Sequence, residues 1–395
     1  MIEHRLKRLL DVLAEQNIDV YLATHTADIR WLTGFSGVFD EEQAHLVLIA
    51  GASGVATSGA SDAAPGGEAT PGAEALFFTD SRYSGALRQL DEQGRWRILD
   101  ERRPRYAYVV EMLKSLRGGH GQSKTLRIGI EADLRLNAYR SLGKALDEQA
   151  SLSCELIELS DLISGLRAVK DVQEVEMLRA AQAITDAAFL HMLDYLRPGL
   201  TEREAAIELE FFMRNAGAQG LAFPSIVAAG PHSAIPHAIP GERVFERGDF
   251  VLMDFGARLD DYRSDMTRTV VLGTASERQR AMYAAVRAAQ RAVIDALVPG
   301  MRGCEAQDIA DATLAAHGFE GRLIHSLGHG VGIDIHELPV LAPKAEAKLE
   351  VGQVITVEPG VYFEDIGGVR IEDFGVITED GFDDFTQSSH ELIEL

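Results

Sequence analysis

Hydrophobic and polar positions along the chain change period several times. Residues 3–16 place apolar side chains at helical spacing. Strand-like runs follow at DVYLAT (19–24), AHLVLIA (44–50) and ALFFTD (75–80). Helical spacing returns near 105–117, a strand pattern at TLRIGIEAD (125–133), a helix at 136–149 and a strand at CELIEL (154–159). This alternation predicts an α/β domain over 1–165. The stretch 51–74 is Gly, Ala, Ser and Pro with almost no bulky side chain. It cannot bury enough surface to order itself, so a flexible insertion between two strands is expected there. ISGLRAVKD (163–171) leads into a long helical pattern at 171–196, and a second domain is expected over 166–395.

The second part repeats itself. RPGLTEREAAIELEFFMRNAG aligns with VPGMRGCEAQDIADATLAAHG, with Pro198 against Pro299 and Gly217 against Gly318, 101 positions apart in both cases. Each copy reads as a Pro-Gly break, a helix and a glycine stop, and Thr201 with Glu204 forms a capping box. HAIP (237–240) echoes HELP (336–339). GDFVLMDFG (248–256) echoes GQVITVEPG (352–360), and Arg263-Ser264-Asp265 echoes Arg370-Ile371-Glu372.

Each half thus brings one acid at the end of an apolar run, Asp254 or Glu358, and one on the returning segment, Asp265 or Glu372. Taken singly each has an ordinary reading: a turn residue for Asp254, a surface acid for Asp265, a Pro-Gly turn for Glu358, an ion pair with Arg370 for Glu372. Turn chemistry does not explain a charge inside each apolar run. Two facing halves would converge four carboxylates, which requires cations.

His329, between glycines in HSLGHGVG, is a fifth candidate. One imidazole among oxygens favours Mn²⁺, Co²⁺, Fe²⁺ or Zn²⁺ over Mg²⁺ or Ca²⁺. Five ligands exceed the need of one ion and suit two ions roughly 3.5–4 Å apart. His237 and His336, at equivalent points of the repeat, read as proton donors or acceptors beside the metals. His325 is assigned to packing, Asp260 and Asp261 to a solvated turn, and Arg370 to orienting Glu372.

Composition narrows the class. The chain has 395 residues and a formal charge of −23, which disfavours nucleic acid and anionic membrane as partners. No run of about 18 apolar residues is present, so no membrane-spanning helix is expected. Cys154 and Cys304 are the only cysteines, too few for a disulfide framework, and a reducing, cytoplasmic setting is expected. Phosphate-loop, H-E-x-x-H, G-x-S-x-G and C-x-x-C motifs are absent.

MDFGARLDDYRSDMTRT, HSLGHGVGIDIHELP, ITVEPGVY and GVRIED resemble the metal motifs of the creatinase/aminopeptidase ("pita-bread") superfamily, and within it the Xaa-Pro peptidases. SIVAAGPHSAIPHAIP resembles its substrate loop. WLTGFSG, FFTDSRY and ISGLRAVKD are similar to its N-terminal domain and linker. The resemblance implies an α+β fold: a C-terminal pita-bread catalytic domain with an internal pseudo-twofold repeat, preceded by an α/β creatinase-like domain.

It places the metal ligands on Asp254, Asp265, His329, Glu358 and Glu372, and the substrate-side histidines on His237 and His336. It further implies two divalent ions, Mn²⁺ foremost with Co²⁺, Zn²⁺ or Fe²⁺ as alternatives, a homodimer, and small peptide substrates. The implied reaction is hydrolysis of the bond before proline, in Xaa-Pro dipeptides or N-terminal Xaa-Pro peptides. Glu358 would take the water's proton, with His237 and His336 assisting. One departure is His232, where many members carry Asn. The rivals are a metal-free creatinase-like non-peptidase hydrolase, a methionine aminopeptidase, and a catalytically silent binding protein of the same fold.

Overall fold

The computed structural model describes residues 2–36, 46–50, 75–90, 96–100, 105–118, 125–149 and 152–395. The 51–74 stretch expected as an insertion lies outside them. The chain divides into two compact units, Met1–Leu166 and Arg167–Leu395.

The first unit is built on a six-stranded mixed sheet. Its order is Arg97–Leu99, Ala75–Phe78, Leu46–Ala50, Val20–Ala23, Leu126–Glu131, Cys154–Leu159. Val20–Ala23 pairs antiparallel with Leu46–Ala50 and parallel with Leu126–Glu131, which is why it is apolar throughout and buried. Helices Arg105–Gly118 and Leu136–Asp147 set Leu113, Leu142 and Leu146 against Leu22, Leu48 and Ile128. Burying each such side chain stabilises by about 1.5–3 kcal/mol. The helical pattern at 3–16 is realised as Ile2–Glu15. Helices Thr26–Thr33 and Ser84–Leu90 and the strand Arg97–Leu99 were not expected from periodicity. All are at most eight residues long, too short to show a period.

The second unit carries the repeat. Helices Glu202–Asn215 and Gly303–Ala316 each have 14 residues and the 101-position offset. Each is followed by a glycine at positive φ, Gly217 at 108° and Gly318 at 85°. The Thr201–Glu204 capping box forms, with Glu204 N–H donating to Thr201 Oγ1 at 3.1 Å.

In the first half the central strand Phe250–Phe255 lies between Ile226–Ala229 and Met266–Val271, antiparallel to both. In the second half Val354–Val357 lies between Gly328–Gly330 and Asp373–Thr378, again antiparallel to both. Glu337–Leu341 and Gly381–Asp384 extend that sheet at its edges. Each central strand packs against its helices: Met253 and Phe255 share a core with Leu209 and Phe189, and Ile355 and Val357 share one with Ala310 and Leu327. Helix Val172–Tyr195 starts at a capping box of Asp171 and Glu174. Helix Glu277–Ala296, also absent from the sequence reading, starts at one of Ser276 and Gln279.

Candidate metal centre

Asp254 is held on the central strand of the first half, register partner of Thr267 and Ile226. Asp265 stands one residue before the returning strand Met266–Val271. Glu358 follows the central strand of the second half directly, and Glu372 stands one residue before Asp373–Thr378. The apolar neighbours of each acid are core residues, so the acids are drawn inward with them: Asp265 is 4% exposed and Glu372 2%.

His329, on Gly328–Gly330, joins the set. Its Nε2 lies 3.6 Å from Asp265 Oδ2 and 3.4 Å from Glu358 Oε1. Ligand atoms of Asp265, His329 and Glu372 all lie within 4.8 Å of one another. Asp254 joins through Arg370, whose Nη2 donates to Asp254 Oδ2 at 2.5 Å and whose Nε lies 3.9 Å from Glu358.

Burial pushes all four carboxyls above the ordinary carboxylate range. Repulsion from neighbouring acids adds to this for Asp265 and Glu372, and Glu358 reaches about 8. Burial also lowers the His329 imidazole to about 4, keeping it in the neutral form that ligates metals. Asp254 Oδ1 is buried without a hydrogen-bond partner. Four crowded oxygen ligands, one neutral imidazole and an unpaired buried carboxylate oxygen fit divalent cations.

His237 and His336 sit at the rim, both exposed. The His336 ring lies 4.5 Å from that of His329, centroid to centroid. Burial first, then the charge of His237, lowers its affinity for a proton, and Asp254 acts in the opposite sense. The His237 loop is tied down by Glu202, fully buried at the start of its helix. Glu202 accepts from Ala229 N–H at 2.9 Å, from Gly241 N–H at 3.1 Å and pairs with His232 Nδ1 at 2.8 Å.

Several contributors escaped the sequence reading. Thr267 donates to Glu372 Oε2 at 2.6 Å and accepts from Arg370 Nε at 3.0 Å. Arg370 therefore reaches Glu372 through a hydroxyl and bonds directly to Asp254, where the sequence suggested that it orients Glu372. Tyr362 accepts from Arg370 Nη1 at 2.9 Å, and burial raises its phenol to about 12. His325, assigned to packing, is bonded to that phenol at 2.8 Å. A signal for Thr267 and Tyr362 existed: each is a hydroxyl beside an acid-bearing motif. Asp260 and Asp261 do form a turn, both at positive φ, but Asp261 is buried. A second group, Asp373, Asp384 and His390, has Asp373 already engaged by Arg268 at 2.7 Å, Gln290 at 2.9 Å and His390 at 2.5 Å.

Residues 176–379 match the model of metallopeptidase family M24, and residues 5–169 match the creatinase/prolidase N-terminal domain. The Xaa-Pro dipeptidase of Pyrococcus horikoshii is 34% identical over 100% of this chain and 99% of its own length. A Bacillus subtilis protein named uncharacterized peptidase YqhT is 34% identical over 99% of this chain and all of its own length. Among solved structures, the Xaa-Pro dipeptidase from Bacillus anthracis superposes with a TM-score of 0.86 at 35% identity, covering both chains fully. The X-Pro aminopeptidase from Thermotoga maritima superposes with a TM-score of 0.82 at 28% identity over 98% of this chain and 99% of that one. With relatives aligned from end to end and a family model over more than half its length, the chain belongs to metallopeptidase family M24.

Proposed function

We propose that the chain is a metal-dependent hydrolase of peptide bonds that precede proline. The observation carrying this reading is the convergence of Asp254, Asp265, His329, Glu358 and Glu372 from both halves of the repeat, with His237 and His336 on the rim. Relatives named Xaa-Pro dipeptidase and X-Pro aminopeptidase support it.

The five converging residues would hold two divalent ions, with Mn²⁺ first among those suited to this donor set. When bound, such ions lower the pKa of a water and polarise the scissile carbonyl. Glu358 accepts the water's proton, its carboxylate being held beside His329 and Arg370. His237 and His336 donate to the oxygen that gains charge and protonate the prolyl nitrogen. That nitrogen has no N–H and leaves poorly without a proton, so a positioned acid matters. The chain's own assignment further includes a boundary near 165, a cytoplasmic setting and a homodimer. Among the described residues no helix is long and apolar enough to cross a membrane.

The test compares hydrolysis of Ala-Pro, of longer Ala-Pro peptides and of Met-Ala peptides, with elemental analysis of the purified protein. Cleavage before proline with about two equivalents of transition metal is expected. Preference for Met-Ala, or turnover with no metal bound, would overturn the reading.

A further inference from the structure

The loop that runs from the His329 strand through His336 to the strand Glu337–Leu341 is built around one buried carboxylate. Glu337 opens the strand Glu337–Leu341, and its side chain is 3% exposed. Its Oε1 accepts from Asp334 N–H at 3.0 Å and from Arg167 Nη2, and its Oε2 accepts from Lys170 Nζ at 2.9 Å. Arg167 also reaches Asp334 Oδ2 at 2.8 Å. Both cations are buried, at 3% and 1% of their side chains. Burial alone would raise the Glu337 carboxyl, yet Lys170 and Arg167 bring it down to about 2. Gly332 makes room for this carboxylate, since an added Cβ would stand 2.5 Å from Glu337 Oε2. Arg263 fixes the same loop from the other half, through its N–H to Gly332 O at 3.0 Å and Nε to Ile333 O at 2.7 Å.

Burying two cations around one buried carboxylate is a poor way to gain stability, because desolvation cancels most of the attraction. What such a cluster does supply is a fixed geometry. His336 is the residue immediately before this strand, so anchoring Glu337 also anchors the backbone that carries His336, whose ring lies 4.5 Å from that of His329. Arg167 and Lys170 belong to the segment by which the chain enters this unit, and Lys170 N–H is itself anchored on Gly352 O at 2.8 Å.

We propose that the Arg167–Glu337–Lys170 cluster is a positioning device for His336, so that the entering segment of the catalytic unit sets the placement of a substrate-side histidine. The catalytic consequence rests on the function proposed above; the positioning of His336 does not.

The experiment compares Glu337→Gln and Lys170→Met with the parent. It measures kcat and KM on Ala-Pro, metal bound per chain, and the rate at which diethyl pyrocarbonate modifies His336, with His237 as internal reference. In Glu337→Gln, kcat is expected to fall roughly 10- to 100-fold with KM and metal content little changed. His336 is expected to become several-fold more reactive relative to His237. Lys170→Met keeps the Arg167–Glu337 pair and should show the same changes, smaller, which covers the case in which Glu337→Gln fails to fold. Parent-like kcat and His336 reactivity in the folded variants would overturn the proposal, as would a loss of activity that merely follows loss of metal. Altered His336 reactivity in a chain whose parent form does not cleave Ala-Pro would sustain the positioning and remove the proposed function.

Discussion

Arg370 from the second half of the repeat donates to Asp254 from the first, Nη2 to Oδ2, at 2.5 Å, with both side chains buried. The bond ties the halves together beside the proposed ligands and leaves the other oxygen of Asp254 unpaired.

Substituting either partner should separate binding from stability. Asp254→Ala is expected to lose metal and activity while retaining the fold. Arg370→Met leaves Asp254 buried without its cation, which costs about 3–5 kcal/mol when a buried pair is broken. Urea midpoints and metal stoichiometry check both. Full activity in Asp254→Ala would end the assignment of this site.

Removing the metal should make stability fall with rising pH. Burial holds the folded-state Glu358 carboxyl at about 8, and holds Asp265 and Glu372 above their ordinary range. A raised carboxyl binds its proton more tightly in the folded chain than in the unfolded one. Its stabilisation is therefore complete below the unfolded pKa of about 4.3 and is lost as pH rises through the folded value. Thermal melts of chelated protein should decline steadily from about pH 5 to 8, and added Mn²⁺ should flatten the profile. A chelated protein whose melting temperature rises over that window would contradict this account.

Glu202→Ala should loosen the His237 loop without touching the metal. Two backbone N–H groups and His232 lose their acceptor, at a cost of about 1–3 kcal/mol for each buried donor left unpaired. Lower kcat/KM with unchanged metal content is expected. Loss of metal in parallel would mean that the loop serves the ligands instead.

Tyr362→Phe removes the phenol that bridges Arg370 and His325. Arg370 then keeps a buried donor without its acceptor, and destabilisation by about 1–3 kcal/mol follows. The stability loss should shrink, leaving only the share owed to the His325 bond, when Arg370→Met is already present, which a double-mutant cycle would register.

The features legible in the sequence were those that violated a local rule. A charge in an apolar run, found twice at matching places, stood out because burial penalises it, and so Asp254 and Glu358 could be read beside Asp265 and Glu372. The 14-residue helices of the repeat were legible through their breaks and stops. The partners of these residues were not legible. Arg370 bonds to Asp254, 116 positions away, and Thr267 to Glu372, 105 positions away. Such pairings arise only when the halves face each other, and no local period encodes them. The role of the fully buried Glu202, whose backbone partners Ala229 and Gly241 lie 27 and 39 positions away, was not legible for the same reason. The short helices Thr26–Thr33 and Ser84–Leu90 owe their form to the surrounding unit rather than to their own pattern.

The division of the acids between two halves also governs when a ribosome-borne chain could become hydrolytic. Asp254 emerges more than a hundred residues before Glu372, so no nascent fragment ending between them contains the complete set of proposed ligands. Synthesis itself would thus withhold the proposed peptide-cleaving centre from the crowded exit region until the second lobe has been made and has closed upon the first.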